Sequence, residues 1–198
     1  MGDRELDPSL RVDWIDQADF ADERPGRLGL TFLPGKHGAS ERYPGLVYRR
    51  DLDTDLATLR GAGIGYLVLL VDDEELARWG DPSIVERARS MEITVDRRPL
   101  RDGTAPASGE EMDELLDALA AARDIGDVAV ACMGGVGRTG TVAACALVRA
   151  GWGADAAIDR VRAVRHPTAV ETPAQHSFVR AYEGHGTEHA TESDKVTP

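Results

Sequence analysis

A cysteine followed by a glycine-rich segment and an arginine is the part of this 198-residue chain best suited to covalent chemistry. Residues 128–141 read Val-Ala-Val-Ala-Cys-Met-Gly-Gly-Val-Gly-Arg-Thr-Gly-Thr. The apolar run predicts a short buried strand, and the residues from the arginine onward predict a helix. Gly134, Gly135 and Gly137 permit backbone angles that are closed to other residues, so the amides between strand and helix can turn inward. We expect an anion cradle at the amino terminus of that helix.

Cys132 and Arg138 stand at the two ends of this cradle. The unpaired N–H groups and the helix dipole favour negative charge, so we expect a depressed thiol pKa for Cys132 and a nucleophilic thiolate. The planar guanidinium of Arg138 suits two oxygens of a phosphoryl group, and Thr139 can donate its hydroxyl to the thiolate. The backbone amides expected to bind the phosphoryl group are those of Met133, Gly134, Gly135, Val136, Gly137 and Arg138.

The extended pattern Cys-x-x-Gly-x-Gly-Arg-Thr-Gly resembles the signature loop of the protein-tyrosine and dual-specificity phosphatases. Two further segments, Leu-Gly-Leu-Thr-Phe-Leu-Pro-Gly-Lys at 28–36 and Ala-Val-Glu-Thr-Pro-Ala-Gln at 169–175, are similar to those of the kinase-associated phosphatase group. The resemblance runs from Leu10 to Tyr182. It implies an enzyme that hydrolyses phosphate monoesters through a phosphocysteine intermediate, on phosphotyrosine and also on phosphoserine or phosphothreonine proteins.

The resemblance also implies a general acid on a separate loop that precedes the nucleophile in the chain. Asp102 lies there, in Pro-Leu-Arg-Asp-Gly-Thr-Ala-Pro at 99–106, where one glycine and two prolines suit a loop that closes over substrate. An aspartate before glycine is usually only a turn residue, so its position relative to Cys132 carries the assignment. Asp72 and Asp73 are alternative acids, although their place after a strand better suits the start of a helix.

Two positions depart from the family pattern. Ala131 stands where the family usually has a His that supports the loop and the thiolate, and Glu171 stands where a Gln is common. The resemblance implies that a Gln near the carboxyl end positions the hydrolytic water. Gln175 matches one such Gln, and the alternative for it is a solvated helix position. These departures keep open a phosphate-binding pseudophosphatase, and a phosphatase of small-molecule phosphates is a further alternative.

Gly135-x-Gly-x-x-Gly140 also satisfies the dinucleotide-binding fingerprint between a strand and a helix. That fold needs a second strand ending in an acid, whereas Asp155 and Asp159 lie within a helical pattern. NAD binding is therefore disfavoured. Cys145 has no comparable loop and lies on the apolar face of the following helix, which predicts a buried, inert thiol.

Helices and strands alternate along the chain, which indicates the α/β class. We expect strands at 28–33, 64–71, 92–95 and 128–131, and the continuous apolar run 64–71 is typical of a strand buried on both faces of a parallel sheet. We expect helices at about 54–60, 74–79, 82–89, 108–126, 138–149, 154–164 and 172–182. The prediction is a single domain with a central, mostly parallel sheet flanked by helices, the three-layer architecture of protein-tyrosine phosphatases.

Local signals also predict where helices begin and where the domain ends. Asp53 or Thr54 is the expected cap of the first helix, and Ser108 with Glu111 forms a capping box for the longest. The acidic segment 1–27 lacks a sustained period and predicts an arm packed on the domain. The small, polar and charged segment 185–198 predicts a flexible tail. The catalytic domain is therefore assigned to residues 28–184.

Composition limits the partners. The chain has 23 Lys and Arg against 35 Asp and Glu, a net charge of −12, which disfavours nucleic acid and anionic membrane surfaces. Any phosphate site must be a local positive pocket for a phosphorylated protein or a small phosphate ester. No apolar run is long enough to span a membrane and no signal peptide is evident, which predicts a cytoplasmic protein. The two cysteines form no metal pattern, so neither metal nor cofactor is expected, and the oligomeric state stays open.

Overall fold

A five-stranded sheet runs through the centre of the molecule. The structure is a computed structural model that describes residues 10–40 and 44–193, with side chains as far as residue 185. The strands are β1 (Asp13–Ile15), β2 (Leu28–Phe32), β3 (His37–Ala39), β4 (Val47–Arg49), β5 (Ile64–Leu69), β6 (Thr94–Arg97) and β7 (Asp127–Cys132). The α-helices are α1 (Leu52–Gly61), α2 (Asp73–Trp79), α3 (Ile84–Ser90), α4 (Gly109–Arg123), α5 (Gly137–Arg149), α6 (Ala154–Val164) and α7 (Pro173–Ser193).

The strand order in the sheet is β1-β2-β7-β5-β6. The four strands β2, β7, β5 and β6 are parallel, and β1 pairs antiparallel with β2 at one edge. β3 and β4 form a separate antiparallel hairpin. Because parallel strands end at the same edge of a sheet, the loops after β2, β5, β6 and β7 meet there.

The side chains of β7 alternate between two apolar layers. Val128, Val130 and Cys132 face a core that includes residues of α4, α5 and α6, whereas Ala129 and Ala131 face a core that includes residues of α1 and α3. Successive side chains of a strand point to opposite faces, so helices must cover both faces of the sheet. This arrangement confirms the predicted three layers with a mostly parallel sheet.

Two helix starts differ in detail from the predicted caps, and a third helix has a cap that was not predicted. Asp51, rather than Asp53 or Thr54, caps α1, because its carboxylate accepts the N–H of Thr54 at 2.8 Å. The predicted capping box of α4 is half formed: Ser108 accepts the N–H of Glu111, but the Glu111 carboxylate accepts the N–H of Ala107 instead. A full capping box occurs at α2, where Asp72 and Glu75 accept each other's backbone N–H.

The arm and the last helix carry more regular structure than expected. Within the predicted arm, β1 extends the sheet and Gln17–Asp19 forms a 3-10 turn, whereas residues 1–9 lie outside the described part. α7 continues past its predicted end at Tyr182 to Ser193. In the first added turn, the His185 ring packs on Tyr182 and contacts the carboxylate of Asp113 at 2.9 Å. Residues 194–198 also lie outside the described part. Among the described helices, we find none that is long and apolar enough to span a membrane.

Candidate active site

The phosphate loop, residues 132–138, leaves the central strand β7 and enters α5. Cys132 is the last residue of β7 and is only 3% exposed. α5 begins at Gly137, and Val136 before it supplies no side-chain cap. The first N–H groups of a helix have no partner within the helix, so they remain donors directed at the loop. The predicted strand, loop and helix therefore place Cys132 beside a helix amino terminus that can bind an anion.

The three glycines of this loop serve different purposes. Of the three glycines that permit such angles, only Gly135 adopts a positive φ, 66°. A Cβ at Gly135 would lie 2.2 Å from the Thr31 carbonyl oxygen. Both the positive φ and this close approach therefore exclude a side chain at the position. Gly137 instead gives room to a neighbour, because a Cβ there would lie 2.6 Å from the Glu171 carboxylate.

The Arg138 guanidinium lies under the phosphate loop and is 1% exposed. Its Nη1 and Nη2 each donate to one carboxylate oxygen of Glu75 at 2.6 Å, and Nη1 also donates to the Leu100 carbonyl at 2.8 Å. Nη2 lies 3.0 Å from the Asp102 carboxylate. Nε is buried and has no partner in the described part of the chain. Within the described residues, the Nε side of the guanidinium is therefore the side left without a protein acceptor.

Glu75 is a site residue that the sequence analysis did not identify. Burial alone would lower the Arg138 pKa, but the hydrogen bonds to Glu75 and the negative charges of Cys132, Glu75 and Asp102 outweigh it and raise the pKa. The guanidinium is therefore charged at any physiological pH. The available sequence signal was the capping box of α2, which fixes Glu75 in the first turn of that helix.

Arg165 is a second residue that the sequence analysis did not identify. This buried side chain donates through Nε to the Gly135 carbonyl at 2.8 Å and through Nη2 to the Gly134 carbonyl at 3.3 Å. Its Nη1 pairs with Asp13 of β1 at 2.6 Å. The arm thus helps to hold the phosphate loop through Arg165. No local spacing in the sequence relates Arg165 to a loop that lies 30 residues earlier.

Asp102 lies in the acid loop, residues 98–106, which follows β6. The Thr104 N–H donates to the Arg101 carbonyl at 3.1 Å and closes a turn, and Gly103 has the positive φ, 74°, that favours glycine within it. The Asp102 side chain is 81% exposed yet reaches Arg138 beneath it. The alternative acids are used elsewhere: Asp72 caps α2, and Asp73 pairs with Arg97. The structure therefore brings Asp102, rather than these two, to the phosphate loop.

The two supporting residues have different surroundings. Gln175 is 1% exposed, which excludes the solvated alternative, and its Nε2 donates to the Thr104 carbonyl at 3.0 Å. The buried Thr139 hydroxyl has no hydrogen-bond partner in the described part of the chain, so its donation to the Cys132 thiolate stays a prediction. Cys145 is fully buried, and burial together with the Asp113 charge raises its thiol pKa, as suits an inert core thiol.

A cleft of about 460 Å³ opens above the phosphate loop. Its walls include Arg11, Lys36, Tyr48, Glu75, Arg78, Trp79, Asp102, Met133, Gly134, Arg165, His166 and Glu171. The lining holds basic and aromatic side chains beside the acidic Glu75, Asp102 and Glu171, although the chain as a whole is acidic. Within the described residues, we find no cluster of three His, Cys, Asp or Glu side chains that could hold a metal ion.

Comparison with known proteins agrees with this geometry. The family model described as "Swiss Army Knife protein, DSP-PTPase phosphatase domain" matches residues 47–196. The chain belongs to this DSP-PTPase family. Membership confirms the predicted phosphatase activity and the predicted class of phosphorylated substrates.

Relatives of this DSP-PTPase have similar length. The chain is 26% identical to cyclin-dependent kinase inhibitor 3 of Rattus norvegicus over 190 residues, 88% of each chain. It is 27% identical to the Homo sapiens protein of that name over 172 residues, covering 84% of this chain and 76% of the other.

Solved structures share the fold. Kinase-associated phosphatase, in a form whose catalytic-site cysteine is replaced by serine, matches with a TM-score of 0.80 at 22% identity. That match covers 92% of this chain and 98% of the other. The active form of Tk-PTP matches with a TM-score of 0.64 at 28% identity, covering 89% and 97%. The predicted likeness to the kinase-associated phosphatase group is thereby confirmed.

Proposed function

We propose that this phosphatase works through a phosphocysteine intermediate formed on Cys132. The observation that carries the proposal is the convergence of Cys132, the buried Arg138 and Asp102 at the start of α5. The thiolate attacks phosphorus, and the bond from phosphorus to the leaving oxygen breaks. Asp102 gives its proton to that oxygen. A water then attacks the phosphocysteine, the P–S bond breaks, and the proton of the water passes to the Asp102 carboxylate.

The partners of Arg138 explain how binding and proton delivery are ordered. Glu75 and the Leu100 carbonyl hold three of the five N–H donors of the guanidinium, and the Asp102 carboxylate lies 3.0 Å from Nη2. Phosphoryl oxygens bind to Nε and Nη2 and to the loop amides from Met133 to Arg138. Their arrival replaces Asp102 on Nη2 and leaves Asp102 beside the leaving group. The proposed role of Thr139 is to donate to the departing thiolate in the second step.

Turnover of para-nitrophenyl phosphate tests the mechanism, with Cys132→Ser as the decisive variant. We expect turnover to fall by about 10³-fold or more, the size seen when a nucleophile is removed, while vanadate still binds to the loop amides and Arg138. Cys145→Ala is the matched control and should keep wild-type turnover. Wild-type turnover by Cys132→Ser would contradict covalent catalysis. Absence of turnover in the wild-type protein would favour the pseudophosphatase.

We propose phosphorylated proteins, with phosphotyrosine and also phosphoserine or phosphothreonine, as the substrates in the cytoplasm. The support is the wide cleft, whose basic and aromatic wall can accept a peptide around the phosphoryl group. The alternative is a small-molecule phosphate. A panel of phosphopeptides, nucleotides and inositol phosphates separates the two. The highest kcat/KM on phosphopeptides would support a protein substrate, and the highest kcat/KM on a small phosphate would contradict it.

A further inference from the structure

Two side chains near the start of α7 bind the backbone of the acid loop. The Thr172 hydroxyl donates to the Gly103 carbonyl at 2.8 Å, and the Gln175 Nε2 donates to the Thr104 carbonyl at 3.0 Å. Both carbonyls belong to the residues that directly follow Asp102. These are sequence-distant contacts, separated by 69 and 71 residues, so they fix the acid loop to another part of the molecule.

These two side chains are themselves held in place. The Gln175 Oε1 accepts the N–H groups of Glu171 and Thr172 at 2.9 and 3.3 Å. The Gln175 backbone N–H donates to the Thr172 hydroxyl at 3.2 Å. A buried amide with its polar atoms paired has few alternative positions, so the bonds to the acid loop are geometrically defined.

The segment that carries these residues is fixed to the phosphate loop. Val170 has a φ of 60°, an uncommon and strained angle for a β-branched residue. Its N–H donates to the Val136 carbonyl at 3.3 Å, and the close approach requires glycine at 140, where a Cβ would lie 2.9 Å from the Val170 nitrogen. Strain of this kind persists only where the surrounding contacts enforce it. The contacts therefore connect the phosphate loop, through residues 170–175, to the acid loop.

We propose that Thr172 and Gln175 are positioning residues that hold Asp102 over the phosphate loop. The inference rests on the proposed function, because it gives Asp102 the role of general acid. It assigns Gln175 to the acid loop rather than to the hydrolytic water. The two roles differ in outcome: a positioning residue of the acid affects substrates with poor leaving groups, whereas a water-positioning residue affects hydrolysis of the phosphocysteine whatever the leaving group was.

The test is a double-mutant cycle on Thr172 and Asp102, read as kcat/KM for phenyl phosphate and para-nitrophenyl phosphate. Thr172→Val removes the hydroxyl and keeps the shape. We expect it to lower kcat/KM for phenyl phosphate by about 2- to 10-fold, the worth of one hydrogen bond, with little change for para-nitrophenyl phosphate. In the Asp102→Asn background, Thr172→Val should cause no further loss, because the acid it positions is gone.

Control variants separate positioning from folding. Thr172→Ser keeps a hydroxyl and should retain wild-type kcat/KM for phenyl phosphate. Thr168→Val removes an exposed hydroxyl from the same loop and should leave kcat/KM unchanged for both substrates. Gln175→Leu, like Thr172→Val, should lower kcat/KM for phenyl phosphate and change it little for para-nitrophenyl phosphate. Partitioning of the phosphocysteine between water and added methanol should be unchanged in Gln175→Leu, and a shift would instead support the water role.

The outcomes distinguish the two proposals. An equal loss for both substrates in Thr172→Val, or a full additional loss in the Asp102→Asn background, would overturn the positioning role alone. Wild-type hydrolysis of phenyl phosphate by Asp102→Asn would overturn the acid role of Asp102 in the proposed function, and the positioning role with it.

Discussion

The phosphate loop and the acid loop meet at one site but are built in opposite ways. The phosphate loop is seven consecutive residues that run from the end of β7 into the first turn of α5, with Cys132 and Arg138 both buried. The acid loop presents Asp102 with 81% of its side chain exposed, and sequence-distant partners hold it. In the proposed mechanism, the groups that bind the anion are contiguous in sequence, with Glu75 and Arg165 supporting them, whereas the acid is held in place by tertiary contacts. Damage to the first should affect every substrate, and damage to the second only those that need a proton.

The largest effect that we expect from a conservative change is at Arg138. Arg138→Lys keeps the charge but loses the planar fork, so both phosphoryl binding and the Glu75 pairing are disrupted. We expect kcat/KM to fall by roughly 10³-fold or more, the size found for arginines that stabilise a transferring phosphoryl group. The fall should be equal for phenyl and para-nitrophenyl phosphate. Arg149→Lys at the exposed end of α5 is the matched control, and a mild effect at Arg138 would contradict the two-pronged role.

Asp102→Asn should instead affect substrates according to their leaving groups. We expect roughly a 10²- to 10⁴-fold loss for poor leaving groups such as phenol, the usual worth of a general acid, because Asn has no proton to give. The loss should shrink as the leaving-group pKa falls across a series of aryl phosphates. Asp73→Asn, at a fully exposed carboxylate near the site, should leave the series unchanged. Equal losses across the series in Asp102→Asn would move the acid elsewhere.

Glu75→Gln tests how far the phosphate loop depends on a residue outside it. The change leaves the buried guanidinium without its anionic partner, and breaking a buried ion pair costs about 3 kcal/mol. We expect a drop of that size in the free energy of unfolding, measured by urea denaturation with bound phosphate absent. Glu74→Gln, in the same turn of α2 but exposed, provides the comparison. Equal stability of the two variants would show that Glu75 does not hold Arg138.

Ala131→His concerns the position where the chain departs from its family pattern. Ala131 is fully buried against the layer that contains α1 and α3, so a larger polar ring must displace packed side chains. Overpacking of this kind costs about 1–3 kcal/mol of stability. The same substitution at the 90% exposed Ile125 should cost little. If Ala131→His were as stable as the wild type, there would be space for the imidazole beside position 131, and the close packing of Ala131 would be contradicted.

Local patterns predicted most of the fold and the nucleophile, because both depend on neighbouring residues. The apolar strand β7, the glycines and Arg138 are contiguous, so sequence spacing alone predicts their geometry. Glu75 and Arg165 escaped prediction because they reach the phosphate loop across 63 and 30 residues. Gln175 was identified by resemblance, but its bond to Thr104 depends on how α7 packs. The helical extension past Tyr182 begins with contacts of His185, including one to Asp113, that composition does not reveal.

Rapid acid quench of the enzyme during turnover of para-nitrophenyl phosphate tests whether a phosphocysteine forms on Cys132. We expect a phosphoryl group on Cys132, located by mass spectrometry of the digested protein, and none on Cys145, whose thiol is buried in the core. The phosphorylated fraction should be larger at early times than after substrate is exhausted, because water releases it. Turnover with no phosphoryl group on Cys132 at any time, or with the group on another residue, would contradict the account.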